Sequence, residues 1–298
     1  MKVVGFTFVR NAITYDYPVE ASIRSLLPLC DELIVAVGNS QDQTRELVAS
    51  IDSPKIKIID TVWDDSLRAS GQVLAVETDK AYAAVPEDAD WAIYLQADEI
   101  LHEKDYDTLR QTMERYKDRP EVEGLLFGYR HFYGNYNYIG DARKWYLHEV
   151  RILRKRPDIH SYRDAQGFRK DPDGMQKLNV VPVDAHIYHY GWVKPPDKQA
   201  DKRAYFESLY HAPDPALAAI EEWDYSDSTR LKPFTGSHPQ AMQERIARLN
   251  WQFHYDPAKA HYSLKERILG AYEKRFGRRL FEFRNYKMLR GKKSANSR

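Results

Sequence analysis

Two adjacent carboxylates, Asp98 and Glu99, follow an apolar strand signal and are the residues of this sequence best placed to do chemistry. They stand in the stretch DWAIYLQADEILHE, residues 90–103. A buried strand end is a costly place for charge, so the acids either reach solvent or bind something. Hard cations such as Mg²⁺ and Mn²⁺ prefer oxygen ligands of this kind. Gln96 occupies the position at which a second acid would complete a paired-carboxylate metal site.

The elements that must position these residues alternate between strand and helix over the first 130 residues. Apolar runs predict strands at residues 2–9, 32–38, 55–62 and 91–97, and apolar residues at helical spacing predict helices at residues 19–30, 42–51 and 71–85. Strands separated by helices indicate right-handed βαβ units, hence an α/β fold with a mostly parallel sheet and helices on both faces.

The carboxyl ends of parallel strands are where such sheets bind their ligands. Three polar stretches follow predicted strands, at residues 9–11, 38–42 and 96–99. We therefore expect these three stretches to converge on one crevice.

The pattern changes after residue 124. Aromatic-rich segments at residues 124–139 and 147–155 predict antiparallel strands, followed by a loop at residues 157–174 and one more strand that begins at residue 180. The rest of the chain reads as helices and loops. The simplest division is one domain over residues 1–195 and a helical C-terminal extension, residues 196–298, packed on it.

Composition narrows the class of protein. The 45 Lys and Arg residues nearly balance the 44 Asp and Glu residues, so the chain is no polycation built for nucleic acid. The single cysteine, Cys30, excludes an internal disulfide framework and fits a reducing compartment, and its apolar neighbours predict a buried residue. The first apolar run ends at Arg10, too early for a secretory signal, and no run is long enough to span a membrane. We expect a soluble, intracellular protein.

Five stretches, in order, resemble the family-2-like glycosyltransferases. They are FTFVRNA, DELIVAVGNSQDQTRELV, DWAIYLQADEIL, HEVRILRK and HIYHYGWV, and they lie within roughly residues 3–195. The resemblance implies a GT-A (Rossmann-like) fold, with nucleotide-sugar binding and catalysis in residues 1–195. It also implies transfer of a sugar, with inversion, from a nucleotide-diphosphate donor to a glycan or lipid-linked acceptor.

A divalent cation, Mn²⁺ or Mg²⁺, is part of what the resemblance implies, because it would neutralise the donor diphosphate. Asp98 matches the last acid of the family's Asp-X-Asp motif and is the implied metal ligand. Gln96 takes the place of the first acid and could hydrogen-bond a ribose hydroxyl. His189 matches a histidine that completes the metal sphere in such enzymes, whereas His186 is expected to be structural. The alternative for Asp98 and Glu99 is that they cap the next helix.

The donor-binding residues implied by the resemblance are Val9, Arg10, Asn11, Asn39, Asp42, Gln72, Gln96 and Lys198. Arg10 could pair with diphosphate oxygens. Val37 stands where the family carries an acid that holds the base, so Asn39 or backbone groups would have to serve. Asp42 could equally cap its helix.

Lysines and an arginine follow the last predicted strand. Lys194, Lys198, Lys202 and Arg203 could close over the diphosphate, although most of them are expected to be solvated. Inversion also needs a general base for the acceptor hydroxyl. Asp164 lies in a loop, where catalytic groups usually sit, and is preferred over Glu149, which lies within a predicted strand.

The stretch from Lys265 to Arg298 is strongly basic, with apolar residues at helical spacing. Such a helix could lie on an anionic membrane, at the inner face, or it could pack on the domain with a solvated basic face. Two other functions stay open. Gln96 and Val37 would also suit a donor-binding protein without catalysis. A nucleotidyltransferase is disfavoured because the stretch after the first strand lacks that class's glycines.

Overall fold

The computed structural model describes residues 1–67, 71–170, 175–212, 214–226, 230–257, 264–277 and 279–289. Its strands are β1 Val3–Val9, β2 Glu32–Gly38, β3 Ile56–Thr61, β4 Trp91–Tyr94, β5 Glu99–Leu101, β6 Gly124–Tyr133, β7 Asn135–Gly140, β8 His148–Leu153, β9 Ile159–Tyr162, β10 Gly167–Lys170, β11 Gln176–Lys177, β12 Asn179–Trp192, β13 Leu231–Pro233 and β14 Lys287–Met288. The helices are α1 Val19–Leu26, α2 Thr44–Ala49, α3 Gln72–Ala83, α4 Tyr106–Tyr116, α5 Pro196–Ser208, α6 Pro215–Ala218, α7 Gln243–Ala247 and α8 Leu264–Phe276, with 3₁₀ turns at Glu103–Asp105 and Gln240–Met242.

The first four strands form a parallel sheet in the order β3-β2-β1-β4. All seven residues of β1 are buried, which is typical of a parallel strand covered on both faces. Helices α1, α2 and α4 pack on one face, and α3 packs on the other through residues such as Val73 and Tyr82. The predicted α/β fold, with a parallel sheet between layers of helices, is confirmed.

Beyond β4 the sheet becomes mixed. β8 pairs antiparallel with both β4 and β6, and β7 pairs antiparallel with the end of β6. Along its other edge β6 pairs with the long strand β12, which is parallel to it, and β5 pairs antiparallel with β12. These last two pairings align Glu99, His189 and His131 in one row across three strands.

The loop prediction for residues 157–174 is wrong over two segments, because β9 and β10 form a hairpin there. Ile159 and Phe168 bury their side chains in the core on the α3 side of the sheet, and this burial stabilises the hairpin. Its turn contains Arg163 and Ala165 with positive φ angles of 55° and 61°. Residues 171–174 of the predicted loop lie outside the described residues.

The C-terminal third joins the same sheet. β13 pairs with β7, and β14 pairs with β12, while the other described elements after residue 195 are helices. Cys30 is buried beneath β1, as predicted. Within the described ranges, no helix is both long and apolar enough to cross a bilayer.

A buried ion pair joins strands β5 and β8. Glu99 and Arg151 have fully buried side chains, and the guanidinium donates from Nε to Oε2 at 2.8 Å and from Nη2 to Oε1 at 2.9 Å. The Tyr129 hydroxyl also donates to Oε1, at 2.8 Å. Nη1 of Arg151 donates to the carbonyl of Gln166, at 2.9 Å, in the hairpin turn. The Glu99–Arg151 pair therefore links β5, β8 and this turn.

Replacing Arg151 with Met should lower the free energy of unfolding by about 3–5 kcal/mol, because the carboxylate of Glu99 would stay buried without its counter-ion. Urea unfolding followed by circular dichroism measures this loss. Arg24→Met is the matched control, since Arg24 forms an exposed pair with Glu20, and it should cost less than about 1 kcal/mol. Equal losses in the two variants would show that the buried pair holds nothing together.

Candidate active site

A cavity of about 210 Å³ opens at the carboxyl ends of β1 and β4. It is lined by Phe8, Val9, Arg10, Tyr17, Leu74, Gln96, Ala97, Asp98, Asp164, His189, Trp192, Gln199, Lys202, Arg203 and Phe206. Small-molecule sites usually enclose about 300–1,000 Å³.

Asp98 lies deep in this cavity. Its Oδ2 accepts a hydrogen bond from Lys202 Nζ at 3.1 Å, and its Oδ1 lies 3.7 Å from His189 Nε2. Burial raises the pKa of Asp98, but nearby positive charge, above all the Lys202 ammonium, outweighs burial and holds this pKa well below its usual range. The buried carboxylate is consequently ionised at neutral pH.

The pairing of β5 with β12 brings Asp98 and His189 together. The amide of Tyr190 donates to the carbonyl of Asp98 at 2.8 Å. Neither Asp98 nor Glu99 caps the following helix, since His102 caps the 3₁₀ turn that precedes α4. The capping alternative is thereby removed.

Gly191 keeps a space open beside this pair. A Cβ at this residue would lie 2.6 Å from Asp98 Oδ2 and 2.7 Å from His189 Nε2. The pairing of β12 with β6 is irregular between His189 and Trp192, and such irregularities are common next to active sites. An atom of side chain here would fill the gap between a carboxylate oxygen and an imidazole nitrogen.

The Asp98 carboxylate is the kind of ligand that Mn²⁺ and Mg²⁺ prefer, and an imidazole nitrogen is a common ligand of transition metal ions. The described residues contain no group of three or more His, Cys, Asp or Glu that could hold a metal. Asp98 and His189 are two described side chains of the cavity that could bind a divalent cation.

His131 is the member of the site that the sequence did not reveal. Its Nδ1 lies 3.1 Å from Nδ1 of His189, and its Nε2 lies 2.9 Å from the carbonyl oxygen of Tyr146. Burial lowers the pKa of His131 well below its usual value. This contact follows from the register between β6 and β12, which pairs His131 with His189, and a local sequence pattern does not indicate it.

Asp164 reaches the cavity from the turn of the β9–β10 hairpin. Its Oδ2 accepts a hydrogen bond from the Tyr210 hydroxyl at 3.0 Å. The neighbouring carbonyl, of Ala165, accepts a hydrogen bond from Gln96 Nε2 at 3.3 Å. A carboxylate at position 96 would have no proton for this carbonyl, so the amide of Gln96 is what connects the end of β4 to the turn.

Glu149 lies outside the cavity lining. Its side chain is buried next to Asn285, and its Oε1 accepts a hydrogen bond from Gln166 Nε2 at 3.0 Å. Burial raises the pKa of Glu149 to about 7. Of the two candidate bases, the structure places Asp164 in the cavity and Glu149 behind the turn that carries it.

At the end of β1, Arg10 lines the cavity and its Nη1 donates to Asp65 at 2.6 Å. Its guanidinium lies over the Trp63 ring, 5.3 Å from the centroid. The indole in turn packs against Gly38 so closely that a Cβ there would clash with it. Trp63 thus covers the end of β2.

Five of the proposed donor-binding residues do not line the cavity: Asn11, Asn39, Asp42, Gln72 and Lys198. Asn11 accepts a hydrogen bond from the amide of Gln41, and Asn39 accepts one from the amide of Trp63. Asp42 accepts from the amides of Thr14 and Thr44. Hydrogen bonds lower the pKa of Asp42 although burial opposes them. These three side chains hold the loops together.

The remaining two lie on helices at the rim. Gln72 is the exposed first residue of α3, and Lys198 faces Asp201, 3.8 Å away. Helix α5 instead directs Gln199, Lys202, Arg203 and Phe206 at the cavity, a spacing that forms one face of a helix.

Of Lys194, Lys198, Lys202 and Arg203, most of which were expected to be solvated, Lys194 is buried and the Lys202 side chain is only 13% exposed. Lys194 is fully buried, and its Nζ donates to the carbonyl of Asp16 at 2.6 Å. The Nζ atoms of Lys194 and Lys202 lie 4.4 and 5.0 Å from the centroid of the Tyr17 ring. Burial lowers the pKa of Lys194 well below its usual value, whereas Lys202 pairs with the Asp98 carboxylate.

Several solved structures resemble this one in part. They include TarS of S. aureus (14% identity, TM-score 0.39, 69% of this chain and 39% of that chain) and residues 1–349 of TarS in complex with UDP (12%, 0.39, 72% and 67%). Another is glucosyl-3-phosphoglycerate synthase from Mycobacterium tuberculosis in complex with Mn²⁺, UDP and phosphoglyceric acid (18%, 0.30, 43% and 43%). This chain thus spans well under half the length of the longer TarS structure. No protein-family model and no curated protein matches the chain.

Glu149→Gln should change the pH dependence of stability. Because the pKa of Glu149 is near 7 in the folded protein and near 4.5 ordinarily, the folded state favours the protonated acid. The resulting stabilisation is fully present below pH 4.5 and is lost as the pH rises through 7. The variant removes this dependence, so its stability relative to wild type should rise by roughly 3 kcal/mol between pH 4.5 and 8.

Urea unfolding at both pH values measures this change. Asp79, another buried acid with a raised pKa of about 6, is present in both proteins and cancels in the difference. A difference that is the same at pH 4.5 and pH 8 would contradict the prediction.

Proposed function

We propose that this chain is a glycosyltransferase of the GT-A type that transfers a sugar from a nucleotide-diphosphate donor. One observation carries the proposal: a single cavity at the carboxyl ends of parallel strands combines the Asp98–His189 pair, three cationic side chains and Asp164. The open sheet offers this edge to ligands. The chemistry gathered there suits an anionic leaving group and a hydroxyl nucleophile.

Arg10, Lys202 and Arg203 are the cations that would hold the donor diphosphate. Arginine binds phosphate oxygens through paired N–H groups, and Lys202 adds a compact charge. Asp98 and His189 would hold Mn²⁺ or Mg²⁺, which supplies further positive charge to the departing nucleoside diphosphate.

Asp164 is the proposed general base. The Tyr210 hydroxyl binds its Oδ2, which leaves Oδ1 to accept a proton from an acceptor hydroxyl in the cavity. One base that activates an external hydroxyl fits direct displacement with inversion. Glu149 is not proposed for this role, because it lies outside the cavity lining.

Gln96 supports an active enzyme over a donor-binding protein without catalysis. The Gln96 amide donates to the carbonyl of Ala165, next to Asp164. A glutamine in place of an acid can therefore help to position the turn that carries Asp164. A ribose hydroxyl could still bind its carbonyl oxygen.

Helix α8 has the features of a segment that binds a membrane surface, where a glycan or lipid-linked acceptor would be found at the inner face. No residue of α8 is buried, and Leu264, Ile268 and Phe276 are 72, 62 and 57% exposed. Residues 265–298 contain twelve Lys and Arg but three Glu, whereas the whole chain is nearly neutral. Exposed apolar side chains within a basic segment fit an anionic lipid surface. We propose that this segment docks the enzyme peripherally.

Nucleotide sugars should raise the melting temperature of this protein in the presence of Mn²⁺ and should be slowly hydrolysed. Asp98→Asn should abolish the stabilisation that depends on the metal. Asp164→Asn should retain donor binding but lose about 10²–10⁴-fold in turnover, as expected for removal of a general base. A panel of UDP and GDP sugars, with and without Mn²⁺, measures both properties.

Glu149→Gln is the matched control and should leave turnover unchanged at neutral pH. Donor binding without turnover would instead identify an inactive donor-binding protein. If no nucleotide sugar stabilises the wild type, the proposed function is wrong.

Membrane docking is tested with vesicles of phosphatidylglycerol and of phosphatidylcholine. Binding should require the anionic lipid and weaken with salt. The double variant Lys274→Glu, Arg275→Glu should weaken binding at least about tenfold, since each basic residue near the surface contributes about 1 kcal/mol. Lys57→Glu, an exposed change on β3, should bind as the wild type does. Equal binding to both lipids, or no binding, would exclude docking by α8.

A further inference from the structure

His131 and His189 form a buried chain of hydrogen bonds that ends at the candidate metal position. Nε2 of His131 lies 2.9 Å from the carbonyl oxygen of Tyr146. A carbonyl oxygen can only accept, so this nitrogen carries a proton. The next contact, 3.1 Å between the two Nδ1 atoms, needs one donor and one acceptor.

The charge state of His131 decides which nitrogen donates. Its side chain is 3% exposed, and its two nitrogens face a carbonyl and an imidazole. Among the residues that the structure describes, no carboxylate bonds to the ring, so a buried imidazolium would lack a directly bonded counter-ion. Neutral His131, with a proton on Nε2, has a lone pair on Nδ1. The proton between the rings then belongs to Nδ1 of His189.

The proton on Nδ1 also determines the state of Nε2, the other ring nitrogen of His189. With a proton on Nδ1, the neutral ring has its lone pair on Nε2. This nitrogen lies 3.7 Å from Asp98 Oδ1, beyond hydrogen-bond distance, at the edge of the space that Gly191 keeps open. The Nε2 lone pair and Oδ1 of Asp98 are then two possible ligand atoms that lie 3.7 Å apart.

We propose that His131 is a positioning residue: it accepts the Nδ1 proton of His189 and thereby presents the lone pair of His189 Nε2 to a divalent cation at Asp98. The consequence for metal binding rests on the proposed function, whereas the tautomer itself does not. Outer partners of metal-binding histidines commonly fix the tautomer and the ring orientation in this way.

Aromatic side chains hold the His131 ring in its place. Tyr129 and Trp145 stack on it, with centroid distances of 5.3 and 5.1 Å and interplanar angles of 24° and 27°. The Tyr146 ring meets it edge-on at 4.4 Å, and its own carbonyl accepts the Nε2 proton. The acceptor nitrogen of His131 is therefore aimed at His189 by packing as well as by hydrogen bonds.

Two variants separate the hydrogen bond from the packing. His131→Phe keeps an aromatic ring but removes the acceptor, and His131→Asn provides an acceptor oxygen near the position of Nδ1. ¹⁵N NMR of histidine-labelled, metal-free protein reports the tautomer of His189. Electron paramagnetic resonance reports free Mn²⁺ in a titration with UDP present. Backbone amide spectra check that each variant folds.

We expect His189 to carry its proton on Nδ1 in the wild type and in His131→Asn, but not in His131→Phe. Mn²⁺ affinity should fall about 10–100-fold in His131→Phe and recover in part in His131→Asn. A proton on Nε2 of His189 in the wild type, or an unchanged tautomer and affinity in His131→Phe, overturns the inference. If the wild type binds no Mn²⁺, the metal site of the proposed function fails, and the NMR result alone decides the role of His131.

Discussion

The ion pair between Glu99 and Arg151 is the interaction on which the arrangement of the site depends. A pair this deeply buried contributes little net stability, but its loss is costly because one charge would stay unpaired. Its value here is geometric. Glu99 directly follows Asp98, and Arg151 binds the carbonyl of Gln166 in the turn that carries Asp164. One ion pair therefore sets the distance between the two acids of the cavity.

The sheet supplies the second constraint through register. Pairing of β5 with β12 and of β12 with β6 aligns Glu99, His189 and His131 across three strands. A shift of one residue would turn His189 to the opposite face. Gln96 completes the frame by binding the Ala165 carbonyl. Gln96 stands where a paired-carboxylate site would have its first acid, and its side-chain amide instead links the end of β4 to the hairpin turn.

The sequence was sufficient for the α/β fold because continuous apolar strands and amphipathic helices are local signals. It also placed Val9, Arg10, Gln96, Asp98, Asp164 and His189 among the candidates, and all six line one cavity. His131 was not predicted, because its contact with His189 depends on strand register, which local sequence patterns do not encode. Lys202 was named among the cations that could reach the diphosphate, but its contact with Asp98 was not predicted, because this contact depends on how α5 packs. Asn11, Asn39 and Asp42 were predicted to bind the donor, but their side chains accept hydrogen bonds from backbone amides of the loops. Polar residues at strand ends can have this structural role.

Lys202 affects the charge balance of the cavity and, on the proposed function, that of the donor complex. A buried Asp98 carboxylate needs a counter-charge, and Lys202 provides it through Oδ2 while also binding the carbonyl of Gly191. On the proposed function a second cation would bind Oδ1, which lies 3.7 Å from His189 Nε2. Two cations at one carboxylate repel each other unless additional negative charge arrives, and the diphosphate of a donor would bring it. On the proposed function, cation and donor therefore bind more tightly together than either binds alone, because each relieves the charge imbalance that the other creates.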